Sequence, residues 1–99
     1  MNSGIDFWVY AVKYENPVTK KIISELKTSM DFGSIPYVED ILSKGEVLRK
    51  LKKGEKFCVV YNKAGNWVKG SEIKNLNDHF LRIDDEEIEE DFLGPINQF

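Results

Sequence analysis

Ninety-nine residues with a formal charge of −3 make one domain, spanning 1–99. At this size a chain buries roughly 65% of its unfolded surface, enough for one modest core and too little for a deep active-site pocket. A 41% apolar and 31% charged composition is too apolar for a disordered chain, and the mild acidity argues against general nucleic-acid binding while leaving room for a local basic patch.

Met1 to Asp6 are polar and lack the basic start and apolar stretch of a secretory signal, so the expected location is cytoplasmic. Phe7-Trp8-Val9-Tyr10-Ala11-Val12 is apolar at every position. Its β-branched and aromatic content predicts a central strand covered on both faces. Asn16-Pro17 breaks it, and Lys21–Thr28 then alternates, with Ile22, Ser24 and Leu26 on one side and Ile23, Glu25 and Lys27 on the other. Phe7–Tyr14 and Lys21–Thr28 are therefore expected as a hairpin with a loose loop at 16–20. Ser29–Ser34 reads as loop. Ile35, Val38, Ile41 and Leu42 fit a helical stripe with Pro36 in its first turn, which suggests a turn of helix near 37–42.

Ser43-Lys44-Gly45-Glu46 is a capping box with Leu42 and Val47 as its hydrophobic staple. It opens a helix at 44–53 with Val47, Leu48 and Leu51 on its apolar face, and Gly54 is its left-handed stop. Lys56–Asn62 is a second central strand. Its Cys58 is the chain's single cysteine, which excludes an internal disulfide and reads as a packed, inert thiol. Lys63-Ala64-Gly65 turns the chain into a strand over Asn66–Leu76, where Gly70 marks a bulge or bend. Asn77-Asp78 turns again, and His79–Ile83 is the last strand. The expected fold is α+β: a small five-stranded, mainly antiparallel sheet in ββαβββ order, its last three strands a meander, with one helix packed on it. The longest apolar run falls far short of the roughly 20 residues of a membrane span.

Asp84-Asp85-Glu86-Glu87-Ile88-Glu89-Glu90-Asp91 holds seven of the seventeen carboxylates. Such a run repels itself and resists burial, so it is expected in solvent or against a positive surface, its own or a partner's. Its spacing is not that of a calcium loop. A basic counterpart lies on the helix, where Arg49, Lys50 and Lys53 fall opposite the apolar face. These cations are either the solvated side of an amphipathic helix or a phosphate-contacting patch. Nucleic-acid modules pair such charge with exposed aromatics, for which Trp67, Tyr61 and Tyr37 are the candidates. His79 is the only histidine. No nucleophile elbow, zinc set, phosphate loop or dinucleotide fingerprint accompanies it, so no catalytic, metal or cofactor site is expected.

Three groups of residues resemble domain-of-unknown-function family 3892, small proteins of bacteria and their prophages. They are Phe7 to Lys13 with Ile23-Ser24-Glu25-Leu26; Val47 to Gly54 with Lys56 to Val60; and His79-Phe80-Leu81-Arg82 with Asp91-Phe92-Leu93-Gly94-Pro95-Ile96 and Phe99. Ile83, Phe92 and the Pro95-Ile96 order depart from the family pattern. The resemblance implies a small β-rich fold and a bacterial or prophage origin, and transfers no catalytic residue. It also recasts the tail: residues 92–99 are expected to pack back on the sheet, the acidic block to be a short bridge, and Arg82 to hold a carboxylate of the block or a C-terminal carbonyl.

The functional expectation is a non-catalytic binding or adaptor module whose partner is another protein, with no membrane and no cofactor. Two alternatives stand beside it. One is an acidic inhibitor of the immunity or anti-defence type, whose block occupies a cationic nucleic-acid site. The other is a weak nucleic-acid binder through helix 44–53. Candidate contact residues are Arg49, Lys50, Lys53, Trp67, Asp84, Asp85, Glu86, Glu87, Glu89 and Glu90.

Overall fold

A computed structural model describes residues 4–35 and 40–99. It is α+β, with one helix on a mixed, mostly antiparallel sheet. The apolar run Phe7–Tyr14 (β1) is central, as its lack of alternation predicts. On one side it pairs antiparallel with β2 (Ile23–Ser29), which pairs with β3 (Asp40–Ser43). On the other side β1 is shared end to end. Phe7 to Val9 pair parallel with β4 (Phe57–Lys63), and Ala11 and Val12 pair parallel with β8 (Asn97–Gln98). β5 (Asn66–Glu72) closes the edge antiparallel to β4.

The strand count and the meander differ from expectation. Among the described residues the main sheet has six strands, and β6 (Lys74–Leu76) and β7 (Phe80–Arg82) form a separate two-stranded sheet. The predicted 66–76 strand is cut at Ile73, which is buried in the core while its backbone N–H bonds to Phe57 O at 2.8 Å. The chain changes sheets there. The bulge expected at Gly70 is present: the one residue between Cys58 and Val60 faces two, Gly70 and Ser71, between Lys69 and Glu72. A Cβ at Gly70 would lie 2.6 Å from the Tyr61 ring and 2.7 Å from Val59, so only glycine fits.

In β2 a register irregularity opposite Lys13/Tyr14 places Ile23, not Ile22, on the core side with Leu26. This breaks the strict alternation expected there. The helical turn expected near 37–42 is corrected in its second half, where residues 40–42 are strand. Pairing with β2 supplies backbone partners that one isolated helical turn lacks. Residues 36–39, including Pro36, Tyr37 and Val38, lie outside the described residues.

Helix α1 (Lys44–Lys52) begins as the capping box predicts. Ser43 Oγ accepts from Glu46 N at 3.2 Å, and Glu46 Oε1 accepts from Ser43 N at 3.2 Å. It ends on Gly54 at φ 93°, where Glu55 N donates to Lys50 O and Gly54 N to Leu51 O, both at 3.0 Å. Val47 is its fully buried anchor. With Leu48 and Leu51 it covers one sheet face, packing on Phe7, Val9, Val12, Leu26, Phe57 and Val59. The opposite face is sealed by residues 32–35: Phe32 meets Trp8 edge-on at 5.3 Å, and Ile35 joins Trp8, Tyr10, Cys58 and Val60. Lys69 Nζ caps both rings, 5.2 Å from Trp8 and 5.1 Å from Phe32. Both faces of the central strands are thus dry, as two uninterrupted apolar runs require. Among the described residues no helix is long and apolar enough to cross a membrane.

Candidate functional site

The acidic segment leaves β7 and returns beside it. Phe92 N donates to Leu81 O at 2.8 Å and Ile83 N to Phe92 O at 3.1 Å, a parallel bridge that brings both ends of the 83–91 loop together. Two side chains hold that base. Arg82 is buried, and its guanidinium grips Asp84 through Nε–Oδ1 at 2.7 Å and Nη2–Oδ2 at 2.8 Å, while Nη1 donates to Glu90 O at 2.9 Å. The fork spans both ends of the loop, which a lysine could not do. The Arg82 hydrogen bonds hold the Asp84 carboxyl below the usual carboxylate range, and the same pairing raises Arg82. The Phe92 ring lies under the guanidinium at 5.2 Å.

Asp91 is the second anchor, and it departs from the expectation that carboxylates of the block resist burial. Its side chain is fully buried. Oδ2 accepts from Ile23 N and from Lys44 Nζ, and Oδ1 accepts from Leu81 N, all at 2.7 Å. Its own N–H donates to Lys21 O at 2.8 Å. One carboxylate thus joins β2, β7 and the first turn of α1. Burial is sustained because both oxygens are satisfied and a cation stands beside them. Tyr14 is raised by burial and, to a smaller extent, by the nearby Asp91 charge.

The tip differs from the base. Asp85 pairs with Lys74, and Glu90 with Lys21 at 3.6 Å, both at the exposed rim. Glu86, Glu87 and Glu89 are exposed and carry no ion pair among the described residues, and Ile88 among them is 48% exposed. The loop is therefore a fixed base carrying three exposed carboxylates, without ion pairs among the described residues, and one exposed apolar side chain.

The basic helix does not neutralise it. Lys50 reaches Glu55 at 3.8 Å and lies 5.2 Å from the Phe7 ring, and Lys52 reaches Asp78 at 3.4 Å. Arg49 and Lys53 are exposed, with no ion pair among the described residues. Among the described residues the one ion pair between helix and block is Lys44 with the buried Asp91. Gly45, Leu48, Arg49, Lys52 and Asp78 line a shallow groove of about 200 Å3, and Glu46, Arg49, Lys50 and Lys53 line the hollow beside it.

The aromatics sit away from these cations in role. Trp67 is half-buried, edge-on to Tyr10 at 5.8 Å. Tyr61 donates its hydroxyl to Leu93 O at 2.8 Å. Tyr37 lies outside the described residues. Cys58 is buried with Sγ 3.3 Å from Gly70 O, and burial pushes its thiol up. Exposed His79 packs edge-on to Phe80 at 6.3 Å. Among the described residues no group of three or more His, Cys, Asp and Glu side chains is arranged to hold a metal ion.

The expected role of Arg82 is met by a carboxylate of the block, Asp84, and the carbonyl it also holds is that of Glu90, in the block and not in the C-terminal tail. The tail does return, with Leu93 and Ile96 buried and β8 paired to β1. Phe92, however, is 44% exposed and packs on Arg82 rather than in the core. Sequence reasoning missed Asp91 as a separate element. The available signal was its position: last in the acidic run and first before the apolar return at Phe92-Leu93. Comparison with known protein families, with curated proteins and with solved structures finds no match.

Proposed function

We propose that the protein is a non-catalytic binding module, of bacterial or prophage origin and cytoplasmic, that engages a cationic surface of a partner protein through residues 85–90. The observation that carries this reading is the contrast within the loop. Its base is held by Arg82 and Asp91, while Glu86, Glu87 and Glu89 are exposed and form no ion pair among the described residues, Glu86 feeling the charge of Arg82. A loop fixed before binding loses less conformational freedom on docking than a free acidic tail would. Its charge steers association with a positive surface.

The same contrast favours a second reading. Closely spaced carboxylates on a fixed base resemble a run of phosphates, so an acidic inhibitor occupying a cationic nucleic-acid site remains a proposal beside the first. Direct nucleic-acid binding through Arg49, Lys50 and Lys53 has less support, because Trp67 and Tyr61 are engaged in packing and hydrogen bonding within the sheet.

The test is affinity capture from a bacterial lysate with the wild type and with Glu86→Gln, Glu87→Gln, Glu89→Gln combined. A protein retained by the wild type, released by salt and lost from the triple variant supports the loop as the contact. Retention of the same proteins by both forms refutes it. If the captured protein binds nucleic acid and the module competes with that binding, the inhibitor reading takes over.

A further inference from the structure

The molecule carries a second charged surface, rich in cations, that complements the first, although Lys50 and Lys52 there also meet Glu55 and Asp78. The groove at the exposed side of α1 is lined by Leu48, by the cationic residues Arg49 and Lys52, and by Gly45 and Asp78. Arg49, Lys50 and Lys53 extend the positive charge along the adjoining hollow. Of the two carboxylates in these linings, Glu46 is held by the Ser43 cap and Asp78 by Asn75 and Lys52. The loop tip presents the inverse pattern, Ile88 exposed among Glu86, Glu87 and Glu89. Among the described residues no ion pair joins Arg49, Lys50, Lys52 or Lys53 to Glu86, Glu87 or Glu89.

We infer that the groove on α1 receives the 86–89 loop tip of a second copy of this chain, with Ile88 against Leu48 and its flanking glutamates on Arg49 and Lys53. The inference rests on the loop being a contact surface and names the cationic surface it meets. The contact is heterologous: each copy offers one plug and one socket, so association proceeds head to tail, closing to a ring or running on as a chain. Charge contributes most of the attraction across an exposed rim, so the contact weakens as salt screens it.

The experiment is sedimentation velocity over a concentration series, at about 10 mM ionic strength, where the screening length is ~30 Å, and at about 1 M, where it is ~3 Å. The wild type is expected to sediment faster with concentration at low salt only, its weight-average mass at least doubling and rising further as head-to-tail association closes a ring or extends a chain. Two charge-reversed forms, Glu87→Lys/Glu89→Lys and Arg49→Glu/Lys53→Glu, alter exposed residues that form no ion pair among the described residues, and circular dichroism checks their fold. Each form alone should be monomeric, because its plug and socket then carry like charge. Their equimolar mixture should associate, because both cross-pairings are again opposite. A wild type that stays monomeric throughout at low salt overturns the inference, as does association that persists in either form alone. A monomeric wild type whose loop variant still loses a captured partner leaves the loop reading standing and removes only the self-docking. A monomeric wild type that binds a short RNA, with loss in Arg49→Glu/Lys53→Glu, assigns the groove to phosphate instead.

Discussion

Removing the Asp91 carboxylate should cost more than any other change in the acidic segment. In Asp91→Ala the N–H groups of Ile23 and Leu81 lose their acceptor in a buried position. An orphaned buried donor costs about 1–3 kcal/mol, so the pair costs roughly 2–6 kcal/mol. Lys44 adds little, since 15% of its side chain is exposed and can turn to water. A total near 4 kcal/mol is a large share of the roughly 5–15 kcal/mol that holds a domain together. Urea unfolding followed by Trp8 and Trp67 fluorescence measures it, with a midpoint shift of roughly 2–4 M for a slope of about 1–2 kcal/mol/M. Two further variants separate the contributions. Asp91→Asn keeps one acceptor but turns an NH2 toward a donor, so it should fall between alanine and wild type. Lys44→Met keeps both backbone bonds but removes the cation beside a buried carboxylate, so it should also destabilise, by less than alanine. A loss under about 1 kcal/mol for Asp91→Ala would mean that water takes the place of the carboxylate, and the anchoring role would fall. So would a Lys44→Met cost equal to that of alanine, which would place the effect in the ion pair alone.

Ser43→Ala should lower stability by about 1 kcal/mol through loss of the cap on α1, and an unchanged denaturation midpoint would refute the cap. Fully buried Leu93 should cost about 2–5 kcal/mol when cut to alanine. Half-exposed Phe92 should cost about 1 kcal/mol, and equal losses in the two variants would place Phe92 in the core instead. Asp84, held below the usual range by Arg82, should contribute stability above its unfolded pKa of about 3.9 and lose it as pH falls through the lower folded value. The wild type and Asp84→Asn should therefore differ at neutral pH and converge in acid, read as urea midpoints from pH 6 down to 2. A constant difference across that range would contradict the pairing.

Where the period, the cap or the stop signal is local, the sequence by itself determined the element. The uninterrupted apolar runs at 7–12 and 57–60 could be satisfied only by strands covered on both faces. Ser43, Glu46 and Gly54 set both ends of α1, because each bonds within a turn or two of its own position. Gly70 marked the bulge because a missing Cβ is itself a local fact. What the tertiary structure alone decided involves partners far apart in sequence. Parallel pairing of β4 and β8 to β1 follows from a long crossover and a returning tail, and no residue near β1 announces either. The split of 66–76 at Ile73 depends on a core it enters only after folding. The acidic block shows the distinction most clearly. Composition correctly placed Glu86, Glu87 and Glu89 in solvent, since like charges repel wherever the chain goes. The burial of Asp91 depended on donors at Ile23 and Lys44, 68 and 47 residues away, which only the completed fold brings within 2.7 Å.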